Sequence, residues 1–265
     1  MASEAFNHTR NAIHHAVQVP SALAATLISG SDPHAVANLS WDPQLEGFVG
    51  RRVGPREDVT AGLRLPDATW VVLRDGDIVD ERAIVGSTLS RAMSWLQGVV
   101  AGLGVEDREL VSMGYDLPQH PAADGHPLAD LDEAVLSVLA EGFAVSHTVL
   151  TGLHAREAGA TDLRLWPHHF DLGMLVPIDE DAESGRSVGI GMAPGDHLVE
   201  DPYLYVNPYP SPAGRELPAL SRGHWRTDGF IGAVINLFGT SEADLSAFVG
   251  EAVGHSKTLL EAACP

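Results

Sequence analysis

The stretch Trp166-Pro-His-His-Phe-Asp-Leu-Gly sets a histidine and an aspartate two residues apart, His169 and Asp171. Side chains alternate between faces along an extended chain, so the two share a side. A further histidine, His224, stands in Gly223-His-Trp-Arg-Thr-Asp-Gly-Phe, followed at alternate positions by Arg226 and Asp228. His-x-Asp with a distant histidine is the donor set of a facial triad on non-haem iron, and two histidines with a carboxylate equally suit catalytic zinc. Such a set leaves coordination positions for water or a substrate oxygen, so the expected chemistry is metal-dependent hydrolysis or oxygenation. Without a metal, His169 and Asp171 make an acid–base pair. The competing reading is structural, with a helix packed on nearby glycines and the two side chains merely hydrogen-bonded.

Three more residues are candidates on the same side. Ala193-Pro-Gly-Asp-His has the composition of a type II turn, which puts Asp196 at a loop tip, either capping the turn or reaching the same site. Pro202-Tyr-Leu-Tyr-Val-Asn-Pro-Tyr-Pro reads as a strand that leaves through a rigid proline segment. Its Tyr203 and Tyr205 could orient a substrate or a metal-bound water, or simply pack. His168 falls on the apolar side and reads as a core histidine. His14 and His15, beside Arg10 on the first helix, read as exposed, with one of the pair turned inward as the alternative.

The elements that carry these residues follow from periodicity. Even positions Trp166, Phe170, Leu172, Met174, Val176 and Ile178 form an apolar face, leaving His169, Asp171 and Gly173 opposite. The next strands repeat the pattern: Val188, Ile190 and Met192 against Gly189, Gly191 and Ala193, then Leu204 and Val206 against Tyr203, Tyr205 and Asn207. Glycines facing polar side chains leave room, which reads as a pocket. Further extended stretches are Leu39–Val49, Val59–Leu65, Trp70–Arg74 and Gly229–Phe238. Helices are expected over Phe6–Val19, stopped or kinked by Pro20, over Ser87–Gly102, over Leu131–Ala158, and from Ser241-Glu-Ala-Asp, a capping box, through Leu260. Leu103–Leu128, with Pro118, Pro121, Gly125 and Pro127, reads as a linker or long loop. Strands that follow one another through short turns make antiparallel sheet, so the fold class is α+β, with helices covering mainly antiparallel sheets. The order helix, strands, helix occurs twice, which suggests two similar halves, a mainly structural one over 1–110 and one over 128–265 that carries the reactive side chains.

Composition narrows the partners. Among 265 residues, 36 are acidic and 16 basic, a formal charge of −20, and Lys257 is the only lysine. That field repels phosphate backbones and anionic lipid, so neither nucleic acid nor membrane is an expected partner; a small molecule is. The one cysteine, Cys264, excludes an internal disulfide and a cysteine metal cage. No stretch reaches the ~20 apolar residues of a membrane span and the N-terminus has no signal-peptide pattern, which gives a cytoplasmic protein as the expectation. Oligomeric state carries no sequence signal.

Four motifs in order, Trp166-Pro-His-His-Phe-Asp, Val188-Gly-Ile-Gly-Met-Ala-Pro-Gly-Asp, Pro202-Tyr-Leu-Tyr-Val-Asn-Pro-Tyr-Pro and Gly223-His-Trp-Arg-Thr-Asp-Gly-Phe, resemble the signature of an uncharacterised bacterial family. Upstream, Tyr115-Asp-Leu-Pro-Gln-His-Pro is similar as well, so the resemblance spans most of the chain. The family pattern has Ser where Ala193 stands, Glu where Asp201 stands and often His where Arg226 stands, which speaks against a ligand role for Arg226. The resemblance names a group and implies no reaction. Two functions therefore remain. One is a small-molecule enzyme with zinc or iron held by His169, Asp171 and His224, assisted by Asp196, Tyr203 and Tyr205. The other is a non-catalytic protein that binds a small ligand or partner on the same polar face.

Overall fold

The computed structural model describes residues 3–29, 32–180 and 185–262. The chain folds as two compact units, one made of Ala2–Glu141 with Leu165–Phe170, the other of Gly142–Arg164 with Asp171–Pro265. The division thus falls inside a helix and places Leu165 and five residues of the Trp166 motif in the first unit, whereas the sequence pattern suggested halves over 1–110 and 128–265.

In the first unit, α1 (Glu4–Ala16) starts at Ser3, whose hydroxyl accepts the Phe6 N–H at 3.1 Å. It ends where the Trp70 indole donates to the Ala16 carbonyl at 2.9 Å, closing one of the carbonyls a helix leaves open. Pro20 does not kink α1. It lies in the first turn of α2 (Gln18–Leu27), where a missing N–H costs no intrahelical bond. After the single turn of α3 (Pro33–Val36) come β1 (Ser40–Asp42), β2 (Gly47–Val49), β3 (Val59–Arg64), β4 (Thr69–Arg74) and β5 (Asp77–Ala83), then α4 (Leu89–Gly102). The strands form an antiparallel meander in chain order, with α2 packed on β3. β5 is exposed along its length, and its Asp-Ile-Val-Asp-Glu-Arg sequence has no buried face to betray it as a strand.

The boundary between the units lies in α5 (Glu133–His154). This helix is long and apolar enough to cross a membrane by length and composition, with a mean hydropathy of 1.5, yet half of that window is buried within the fold. There follow β6 (Arg164–Trp166), β7 (Asp171–Pro177), β8 (Ser187–Ala193), β9 (Tyr203–Tyr209), β10 (His224–Arg226), β11 (Gly232–Asn236) and α6 (Glu242–Glu261). The sheet order is β10-β11-β9-β8-β7-β6. β7 pairs antiparallel with β8, with Gly173 opposite Gly191, as the short connections required. α6 packs over β9, β8 and β11. Both sheets are antiparallel and helix-covered, and the fold is α+β.

The strand expected from the alternation between Trp166 and Ile178 is interrupted. Residues 167–170 form a turn, and Phe170 takes a left-handed backbone (φ 57°) that few non-glycine residues adopt. Packing holds it there: Phe170 is 1% exposed, stacked on His14 at 5.1 Å and edge-on to Phe48 at 5.9 Å. Leu165 exchanges two backbone hydrogen bonds with Leu39 on the near side of this turn.

Three histidines of the first unit are held neutral. Burial pushes His14 down to about 3, while its Nε2 donates to the Pro167 carbonyl at 2.9 Å. Burial also lowers His120 to about 4, with His8 and His15 adjacent, and His168 to about 4, with His169 and His34 adjacent. An unfolded histidine binds its proton near pH 6.5, so from there down to about pH 4 the unfolded chain holds more protons than the folded one. Stability is therefore full above about pH 6.5 and lost as pH falls towards 4. The melting temperature should drop steadily on acidification from pH 7 to 4.5. His14→Phe, which keeps the ring and leaves Gln18 as a donor to Pro167, should flatten that drop. A pH-independent melting temperature across this window would contradict the assignment.

Candidate functional site

Register places the expected residues of the second unit on one face of its sheet. Directly opposed residues of antiparallel neighbours share a face. One row runs His224, Val234, Tyr205, Gly191, Gly173 across β10, β11, β9, β8 and β7. The next runs Arg226, Gly232, Asn207 and Gly189, taking Gly232 opposite Asn207 by extension of the β11–β9 register, and another joins Asn236, Tyr203 and Ala193. Asp171, two residues before Gly173, starts β7 on that side. The polar face read from alternation is real.

Its hydroxyls and carboxylates meet in pairs. The Tyr205 hydroxyl donates to Asp171 Oδ2 in a short hydrogen bond. The Tyr203 hydroxyl donates to Asp196 Oδ2 at 2.8 Å. Asp196 also does what a turn residue does, its Oδ1 accepting the Leu198 and Val199 N–H groups at 2.7 and 2.9 Å, after Gly195 supplies the positive φ (93°) of the Pro-Gly turn. Burial, reinforced by the facing carboxylates, pushes the pKa of both phenols above the ordinary tyrosine value, so they stay protonated donors. The two rings lie 6.2 Å apart.

The room above the glycines is filled from within the sheet. A Cβ on Gly191 would sit 2.5 Å from Tyr205 Oη, one on Gly189 2.6 Å from Asn207 Oδ1, and one on Gly232 2.5 Å from a Phe230 ring carbon. Val199 and Phe230 pack over Ala193, Tyr203 and Val234. These glycines admit Tyr205, Asn207 and Phe230. The remaining expected residues, His169 and His224, take part in neither of these two hydrogen bonds. His169 is exposed in the 167–170 turn of the first unit, its ring 4.1 Å from that of His168. His224 is exposed on β10. Among the described residues no group of three His, Cys, Asp or Glu is arranged to hold a metal ion.

No protein-family model, no curated protein and no solved structure matches this chain.

An open space lies in the first unit. A hollow of about 880 Å3 is bounded by α4 (Leu89, Met93, Gln97), by the segment read as a linker (Leu110, Tyr115, Leu117) and by His15 and Gln18. That segment is part of the fold: Val105, Leu110 and Leu128 are buried, and a 3-10 turn, Pro121–Asp124, is pinned by His120 Nδ1 accepting the Ala122 N–H at 3.1 Å. His15 is 3% exposed and its Nε2 donates to the Pro118 carbonyl at 2.8 Å. Both His14 and His15 are buried, against the exposed reading of the pair. The signal that could have marked this region was the spacing of Val105, Leu110, Leu117 and Leu128 among the prolines, too apolar for a solvated linker.

The two glycine positions make opposite demands. At Gly191 an added methyl meets the Tyr205 ring at 2.6 Å and the Leu172 carbonyl oxygen at 2.7 Å, neither free to move, whereas at Gly189 it meets the movable end of Asn207. Gly191→Ala should cost about 2–3 kcal/mol and Gly189→Ala less than about 1 kcal/mol, read from urea midpoints. Equal costs would mean that Tyr205 does not occupy this space.

Proposed function

We propose that this chain is a small-molecule-binding protein and that its ligand enters the hollow beside α4. One observation carries the reading. The polar sheet face that alternation singled out has its space taken by Tyr205, Asn207 and Phe230, while the first unit keeps about 880 Å3 open. Ligand sites fall in the range of about 300–1,000 Å3 and combine an apolar lining with a few fixed polar groups. Here Leu110 and Ala122 are buried in the lining beside His15 and Gln18, and Ser90, Ser94 and Ser112 stand exposed at the rim.

Nile red, a neutral dye that brightens in apolar surroundings, tests the site. The protein should bind it, and Ser94→Trp, a bulky group on an exposed lining position, should weaken binding at least about tenfold with circular dichroism unchanged. Tyr205→Phe should bind it as the parent does. Binding that survives Ser94→Trp, or that is lost in a folded Tyr205→Phe, would overturn the reading.

A further inference from the structure

The polar groups of the hollow are not an even mixture of donors and acceptors. Gln18 is 6% exposed and has given both amide hydrogens to the fold, to the His14 carbonyl at 3.0 Å and the Pro167 carbonyl at 2.7 Å. What it can offer the hollow is its carbonyl oxygen, an acceptor. In the tautomer that donates from Nε2 to the Pro118 carbonyl, the Nδ1 of His15 is an acceptor. Ser94 has its hydroxyl proton on the Ser90 carbonyl at 3.0 Å, and Gln97 donates its amide to Asp107 at 2.7 Å. At the rim stand two exposed carboxylates, Glu109 and Asp116. Among the described residues no lysine or arginine lines the hollow; Arg108 lines a neighbouring one of about 430 Å3 that shares Glu109 and Ser112 with it, and pairs with Glu106 at 3.8 Å.

An anionic ligand would find fixed acceptors, two carboxylates and a chain of net charge −20. A purely apolar ligand would strip water from the Gln18 oxygen and give nothing back. A positively charged ligand with N–H donors meets the Gln18 oxygen and both rim carboxylates. Leu89, Met93, Leu110 and Leu117 provide apolar surface for its body, and Tyr115 adds an aromatic face of the kind that attracts ammonium groups.

We infer that the hollow takes an organic cation, an ammonium group on an apolar body of modest length, recognised by the Gln18 and His15 acceptors at its floor and by Glu109 and Asp116 at its rim. The inference rests on the hollow being the ligand site. Anions of the same shape are discriminated against by the two rim carboxylates and by a lining that, among the described residues, holds no lysine or arginine.

Matched probes of opposite charge decide it. Hexylammonium and hexanoate are titrated against protein carrying Nile red, with the parent, Glu109→Gln/Asp116→Asn and Ser94→Trp proteins. Hexylammonium should displace the dye at least about tenfold more effectively than hexanoate, and raising the salt concentration should narrow the gap, because the rim charges are exposed. The double variant should lose several-fold in hexylammonium affinity while its dye binding stays. Equal displacement by the two probes, displacement by neither, or an unchanged preference in the double variant would each overturn the cation inference and leave the hollow as a site. Dye binding insensitive to Ser94→Trp would instead remove the site itself.

Discussion

The carbonyl oxygen of Pro167 is the point on which the molecule turns. It accepts two donors from successive helices, His14 Nε2 at 2.9 Å and Gln18 Nε2 at 2.7 Å. A buried carbonyl with two such partners fixes the 167–170 turn against α1 and α2, and Phe170 completes the clamp by stacking on His14. Consequences run in both directions along the chain. Upstream, Leu165 is held beside Leu39. Downstream, β7 begins with Asp171, which accepts the Tyr205 hydroxyl. On the helix, this bond and the one to the His14 carbonyl take both amide hydrogens of Gln18, so that an acceptor is what remains to face the hollow.

The polar face of the second sheet then has a structural explanation. A tyrosine lying across a β-sheet needs its neighbours without side chains, and Gly191 and Gly173 provide that space beneath Tyr205. Its buried hydroxyl needs an acceptor, and Asp171 provides one; Tyr203 and Asp196 repeat the arrangement through the Pro-Gly turn. In each pair a neutral phenol donates to a carboxylate. These bonds hold β7, β9 and the turn after β8 to each other, and they account for the residue types that made this face look like a reaction centre.

Much of this was legible in the amino-acid sequence. Alternation placed Leu172, Met174 and Val176 in the core and Asp171 on the far side, and short polar turns implied antiparallel pairing, because both depend only on local backbone geometry. The break at residues 167–170 was not legible. Phe170 adopts a left-handed backbone because His14 and Phe48 enclose its ring, and both are distant in sequence. For the same reason, glycines that read as vacant space proved to be occupied, since only the strand register shows that Tyr205 lies over Gly191. The hollow escaped notice because its walls come from three separate stretches, one of them rich enough in proline to pass for a linker.

The central claim is that ligand binding belongs to the first unit's hollow and not to the polar sheet face, and the chain's four tyrosines report on both places. Tyr115 lines the hollow, Tyr203 and Tyr205 lie on the sheet face, and Tyr209 is exposed. Protein labelled with 3-fluorotyrosine gives one fluorine resonance for each, to be followed while hexylammonium is added. Movement of the Tyr115 resonance, with those of Tyr203 and Tyr205 unchanged, is the expected result. Movement of Tyr203 and Tyr205 with Tyr115 still would contradict it.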